Sequence, residues 1–458
     1  MKQYFIYVLI AIIAFAGACE QEADQFTTES SAKLRFSADS VNFDTLFTSV
    51  GSVTKRFWVY NDLENAVDIS TVKLRNSQSS FSIILNGQSQ STFENVPILG
   101  RDSIQVLVTV NIDPKNQNLP FLVDDYLDFT TNGNLQFVNL VAWGQDAHFI
   151  EKSVLTCNQV WTNERPYVLL DSVFVEQGCK LIINSGTRIY ANVNTSIVIA
   201  GTLEASGTFN ERILITNSRL DKNYINAPGQ WGGILFAETS TNNFINCTDI
   251  RNAVNGIWLG TPDNDIDPDL ILSNSKIENM SGIGLAAFTS DLYAYNTLVN
   301  NCGQFAVANL AGGNYKYEHC TFANFSFDFF RNEPAVVFSD NLPISDTEIL
   351  TDALSVEMTN SIIWGSLENE VLLSNAGGQI FDLVFTNNIF KTSDPSIQTV
   401  SNIINEDPKF INPKNYEYRL DTLSTAKDAG ITLSITEDLE GNLRDAMPDI
   451  GAYERVEQ

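Results

Sequence analysis

The sequence predicts an all-β chain: an N-terminal Ig-like β-sandwich followed by a right-handed single-stranded parallel β-helix. Three observations predict it. Residues 33–147 alternate apolar and polar side chains in short runs separated by turn dipeptides. Residues 150–425 repeat a phrase built on Asn with short apolar strands between Gly or Asn turns. Neither section contains a helical period of useful length.

The sandwich is the simpler reading. Phe57-Trp58-Val59-Tyr60, Val67-Asp68-Ile69-Ser70, Phe81-Ser82-Ile83-Ile84, Ile104 to Val110 and Val138-Asn139-Leu140-Val141 read as half-buried strands. Asn86-Gly87, Asp113-Pro114 and Asn132-Gly133 mark turns between them. Roughly seven strands in about 115 residues fit a two-sheet sandwich. His148, just beyond, reads as a linker residue.

The repeat carries the second reading. Aligned on its Asn, the phrase gives Asn217, Cys247, Asn274, Asn296, His319, Asn360 and Asn387, at intervals of 30, 27, 22, 23, 41 and 27. A small or polar residue follows each time, and a large apolar one stands three beyond. Five beyond, Asn252, Asn279, Asn301 and Asn324 recur. A second strand opens at Gly233-Ile234, Gly256-Ile257, Gly282-Ile283 and Ala306-Val307. Strands this short cannot bury an apolar face alone, so they must stack on copies of themselves, with like positions roughly 4.8 Å apart. A buried Asn then hydrogen-bonds its copies above and below, which satisfies amides that water does not reach. The long interval from His319 to Asn360 predicts a loop, Phe325 to Ala353, protruding from one coil.

Composition narrows the functions. The 458 residues carry a net charge of −28, which repels nucleic acid and anionic bilayers. A strongly anionic polysaccharide is a poor partner unless calcium or a local basic patch intervenes. Of six cysteines, Cys157, Cys179, Cys247, Cys302 and Cys320 follow Cys19, and none has zinc-site spacing. Cys157 and Cys179 lie 22 apart, about one coil, which would admit a disulfide. Buried free thiols are the preferred reading for all five.

The termini and the repeat carry resemblances. Met1-Lys2-Gln3 and the apolar run from Tyr4 to Ala16 describe a secretory signal. Ala16-Gly17-Ala18-Cys19 resembles a bacterial lipobox, with Ala16 where Leu is usual. The resemblance to Bacteroidetes-type surface lipoproteins implies a signal peptide over 1–18, lipid on Cys19 and anchorage in the outer membrane, facing the cell exterior. Glu20, Glu22 and Asp24 follow in an acidic tether, 19–32, which reads equally as an export tag or as a solvated spacer. Phe57-x-Val59-x-Asn61, Val108-x-Val110 before Asp113-Pro114, and Thr131-Asn132-Gly133 resemble the Ig-like modules of bacterial surface proteins. Residues 165 to 455 resemble the pectin-lyase-like β-helix superfamily. Asp438-Leu439-Glu440-Gly441-Asn442-Leu443-Arg444 and Asp449-Ile450-Gly451-Ala452-Tyr453-Glu454 resemble a choice-of-anchor type cap, placed at 426–458.

That superfamily hosts lyases, hydrolases, epimerases and adhesins, so the site must decide. The paired Asp and Gly-His-Gly of its hydrolases are missing around His148 and His319. His319 sits at a ladder position and reads as an Asn-like stacking residue. Arg219, Arg251, Lys276, Lys316 and Arg331 are candidate outward cations for a lyase. Asp263, Asp265, Asp267 and Asp269 alternate as a candidate Ca²⁺ loop, without the Gly and distal Glu of an EF-hand. Trp231, among glycines, is a candidate sugar platform, with core packing the preferred reading; Arg331 is the other candidate ligand contact. The expectation is a cell-surface binding or scaffold lipoprotein for carbohydrate or envelope partners. The alternative is a polysaccharide lyase or glycoside hydrolase. An outward groove with Lys or Arg near two or more carboxylates on neighbouring coils would favour the alternative.

Overall fold

The computed structural model describes residues 24–151, 153–262, 265, 267–325, 327, 330–345, 348–397 and 400–456. The signal segment and Cys19 lie outside them. The chain divides into two compact units, Met1–Asp146 and Ala147–Gln458.

The first unit is a sandwich of two five-stranded sheets. One sheet orders Arg35–Phe36, Lys55–Tyr60, Ser103–Val110, Phe81–Leu85 and Gln88–Gln90, all antiparallel. The other orders Ser40–Phe47, Asn134–Gln145, Phe121–Thr131, Val67–Leu74 and Thr92–Ile98. Its first pair is parallel and the rest are antiparallel. Period-two alternation builds the core: Phe57 and Val59, then Val106, Val108 and Val110, point inward and are buried. The ten strands exceed the expected seven. The extra ones are edge strands whose text hides them, such as all-polar Gln88–Gln90 and Thr92–Ile98 with its Pro97.

The second unit winds as a parallel β-helix, its strands falling into three columns that are visited in turn. The first column is an eleven-stranded sheet from His148–Ile150 to Ile403–Ile404. The second and third columns merge into one sixteen-stranded sheet, because Leu285–Tyr295 and Val307–Glu318 run through both. Inward positions stack in register: Val173, Ile197, Ile234, Ile257, Leu285, Val307, Val336 and Val371 form one row of the second column. Such rows make one continuous core, with Ile397 packed into it beyond the last strands of columns two and three.

The Asn positions are turn residues between columns. Asn274, Asn296, His319, Asn360 and Asn387 all have φ between 45° and 52°, the left-handed region that Asn tolerates best. Their side chains form the expected ladder. Asn296 Nδ2 donates to Asn274 Oδ1 at 2.9 Å, and Asn360 Nδ2 lies 3.1 Å from His319 Nε2. A second ladder runs from Asn217 through Asn252 and Asn279 to Asn301, at 2.6–2.8 Å. Asn217 therefore belongs to the second ladder, not the first as its spacing suggested. Cys247 opens the first, and Asn274 reaches past it to Asn246 Oδ1 at 2.8 Å. The register likewise aligns Leu285, not Ile283, with Ile257.

Three further expectations are corrected. His148 is no linker: it opens the first strand of the β-helix, its ring 4.9 Å from that of Tyr167 on the next coil. Cys157 and Cys179 form a disulfide, their Cα atoms 4.7 Å apart; Cys247, Cys302 and Cys320 are buried free thiols, as expected. The long interval holds two excursions with a coil strand between them. Val336–Ser339 pairs with both neighbouring coils, and among the described residues of the interval Asn341–Pro343 and Ile349–Thr351 form a hairpin.

The C-terminal segment does not close the end of the stack. It lies along the outer face of the first column. Leu298 and Ala323 pack there with Leu439, Ala452 and Tyr453; Ile362, Trp364 and Ile389 pack with Leu420, Ala426 and Ile450. The quoted motif acts as the clasp. Asp438 Oδ1 accepts the N–H groups of Glu440 and Asn442 around Gly441, whose φ is +85°. Arg444, buried, donates to Glu454 and to Asn296 of the ladder.

Candidate functional site

The outer face of the third column holds the site. In a strand, residues two apart share a face, so Leu285–Tyr295 presents Asp291, Tyr293 and Tyr295 outward and buries Leu292 and Ala294. Val307–Glu318 presents Asn314, Lys316 and Glu318; Leu354–Thr359 presents Ser355 and Glu357. Parallel register places Lys316 beside Tyr293 on one coil and Glu357 on the next.

These side chains line adjoining hollows. One, of 360 Å³, is bounded by Pro268, Asp291, Tyr293, Lys316, Ser355 and Glu357. A second, of 250 Å³, shares Asp291 and Asn314 and adds Asp265, Asp269 and Asp352 at the corner between columns two and three. A third, of 340 Å³, shares Tyr293 and runs past Tyr295 to a wall made by Ser434, Thr436 and Glu437 of the C-terminal segment. Asp291 and Asn314 separate the first from the second and Tyr293 the first from the third, so the hollows follow one another across neighbouring coils as a candidate groove.

The groove has an aromatic floor and a charged edge. The Tyr293 and Tyr295 rings lie 5.3 Å apart, inclined by 39°. Tyr293 Oη donates to Glu318 Oε2 at 2.5 Å, and burial together with that carboxylate pushes the phenol well above its usual range. Tyr293 therefore stays a neutral donor. Lys316 Nζ sits 3.0 Å from Glu318 Oε1 and 5.3 Å from the Tyr293 ring centre. At the corner, Asp269 Oδ2 accepts the N–H of Asp291 at 2.8 Å, and Asp291 Oδ1 accepts from Asn314 Nδ2 at 2.7 Å. Each carboxylate thus ties its coil to the next, which fixes the wall.

Of the residues singled out from the sequence, Lys316 alone of the five outward cations lies in this groove. Arg219 stacks on Tyr224, Arg251 pairs with Glu278, and Lys276 lies beside Glu440 of the C-terminal segment. Arg331 is not outward at all. It is buried and bidentate with Glu370, at 2.7 and 2.8 Å, where it pins the excursion after Asn324 to the following coil. Trp231 is no platform. It is 1 % exposed, and its Nε1 donates to Arg251 O at 2.7 Å inside the core. Of the acidic loop, Asp265 and Asp269 both line the corner hollow. Asp265 caps the N–H of Asp267, Asp269 turns to Asp291, and Asp263 lies outside the described residues. Among the described residues no three acidic, His or Cys side chains are placed to hold a metal ion. His319 is buried in the ladder. Burial first, then the charge of Arg444, lowers its pKa to about 2, so it is a neutral stacking group.

Sequence reasoning missed Asp291, Tyr293, Tyr295, Ser355 and Glu357. The signal was present as outward positions of the aligned strands, but the intervals of unequal length concealed which coils are neighbours.

One comparison with known proteins agrees with the winding. A family profile described as a pectate-lyase like beta helix domain matches residues 153–266. No curated protein matches the chain. Among solved structures, a family 123 glycoside hydrolase from Clostridium perfringens, studied for glycolipid glycan hydrolysis, is similar at 9% identity and TM-score 0.17, over 24% of this chain and 25% of that one. The chain thus spans about a quarter of that protein's length. The ASH / PapD-like domain of human CEP192 is similar at 11% identity and TM-score 0.18, over 28% of this chain and 95% of that one. The catalytic domain of a GH87 alpha-1,3-glucanase, in complex with tetrasaccharides, is similar at 9% identity and TM-score 0.21, over 76% of this chain and 90% of that one. The chain is a β-sandwich followed by a parallel β-helix, and residues 153–266 of that β-helix are the part that matches the pectate-lyase like profile.

Proposed function

We propose that this protein is a cell-surface lipoprotein that binds a glycan along the groove of the third column. One observation carries the reading: Tyr293 and Tyr295 present two neighbouring rings beside Lys316, Glu318 and Glu357 in a single open groove. Sugar rings offer apolar C–H faces to aromatic rings and hydroxyls to charged acceptors, and this surface supplies both. The sandwich serves as an Ig-like spacer. Lipid on Cys19 anchors the chain in the outer membrane, facing the cell exterior.

Turnover is the second reading, favoured by Lys316 between Glu318 on its own strand and Glu357 on the next coil. The Lys316 ammonium, held by Glu318, would stabilise negative charge developing on the substrate, and the Tyr293 phenol would donate a proton to the departing oxygen as the glycosidic C–O bond breaks.

A glycan panel separates the two. The expected result is binding that falls about tenfold or more in Tyr293→Ala, without release of unsaturated or reducing ends. Release of either end by the wild-type protein, lost in Lys316→Ala, would establish turnover. Binding unaffected by Tyr293→Ala would remove the groove from the account.

A further inference from the structure

We infer that the groove selects glycans bearing free amino groups over their uncharged counterparts and rejects polyuronates. This rests on the groove being the saccharide site. Asp265, Asp269, Asp291 and Asp352 line one hollow, and Glu357 joins Asp291 in the next. Among the described residues lining the groove, Lys316 is the cationic side chain, and Glu318 lies 3.0 Å from its ammonium. The local balance is therefore negative inside a chain that is itself −28. A concave, partly desolvated surface concentrates that potential.

The geometry strengthens the sign. Asp269 and Asp291 each accept a backbone N–H of the next coil, which holds the carboxylates in a fixed row along the corner. Asp352 and Glu357 are exposed at its rim. An ammonium on a sugar ring resting on Tyr293 meets carboxylates on two sides and an aromatic face below. A uronate in the same place faces those same carboxylates, and the one cation beside the ring, Lys316, is already engaged by Glu318. Replacing the ammonium by an acetamide removes the charge and leaves the ring contact.

The test compares three short oligosaccharides on the full chain by calorimetry: oligoglucosamine, its N-acetylated form, and oligogalacturonate. Expected is about tenfold tighter binding of oligoglucosamine than of the acetylated form at low ionic strength, narrowing as salt screens the carboxylates. The double variant Asp352→Asn with Glu357→Gln, both at exposed positions, should reduce that ratio to about threefold or less. Lys316→Gln should raise it. Equal binding of the free and acetylated forms would overturn the inference and leave the groove as a glycan site. Oligogalacturonate binding as tightly as oligoglucosamine, with or without added Ca²⁺, would also overturn it. Binding of none of the three would overturn the inference together with the proposed function.

Discussion

The first and third columns of the β-helix share an inner core and differ in what they show outside. Over its later coils the outer face of the first column is apolar: Leu298, Ala323, Ile362, Trp364 and Ile389 are all buried against the C-terminal segment. The outer face of the third carries Tyr293, Lys316 and Glu357 and stays open. Stacking requires only that inward positions match. Each outer face is then free to become either a docking surface for the chain's own tail or a surface for something else. The covered face should govern stability and the open face should govern binding.

The strongest test of that division is the clasp. Arg444→Ala leaves the Glu454 carboxylate buried without its guanidinium partner and removes the bond to Asn296. A loss of about 3–5 kcal/mol is expected in urea unfolding. A loss below about 1 kcal/mol would show that the tail is a passive covering. Next is the disulfide. Replacing Cys157 and Cys179 by Ala should cost about 3 kcal/mol, measured as a lower unfolding midpoint that reductant no longer shifts.

His319 gives a smaller, pH-dependent effect. Its folded pKa is about 2, against about 6.5 for an unfolded His, so the unfolded chain binds more protons between those values. Its neutral form therefore contributes fully above pH 6.5. The contribution is lost as pH falls, at about 1.4 kcal/mol per unit. His319→Asn keeps an acceptor for Asn360 and suits the left-handed turn, so the stability difference from wild type should grow in the variant's favour from pH 6.5 to pH 4.5. Parallel pH curves for the two proteins would refute the buried neutral ring. Last, Tyr293→Ala on the open face should change stability by only about 1 kcal/mol while weakening glycan binding about tenfold or more. A large stability loss would mean that this face is structural too.

The winding was legible because short strands between Gly and Asn turns have one way to bury their apolar faces. Individual alignments were less secure. Asn217 and Ile283 were each set against the wrong copy, because an Asn five residues along, or a Gly-Ile two residues early, imitates the true position. Trp231 and Arg331 looked functional for their chemistry alone. Both are core groups, one hydrogen-bonded to Arg251 and the other paired with Glu370. The disulfide was not legible because a one-coil spacing permits contact without requiring it.

What the sequence determined by itself is local. Apolar period and turn residues specify strands, their inward faces and the left-handed corners at Asn274, Asn296 and Asn360. What only the tertiary structure decided is lateral. Coils of unequal length set which outward side chains become neighbours, and a tail some 140 residues distant in sequence bonds Asn296. Local conformation is encoded by nearest residues, whereas a groove is made by register between coils, and register is settled by the packing of the whole stack.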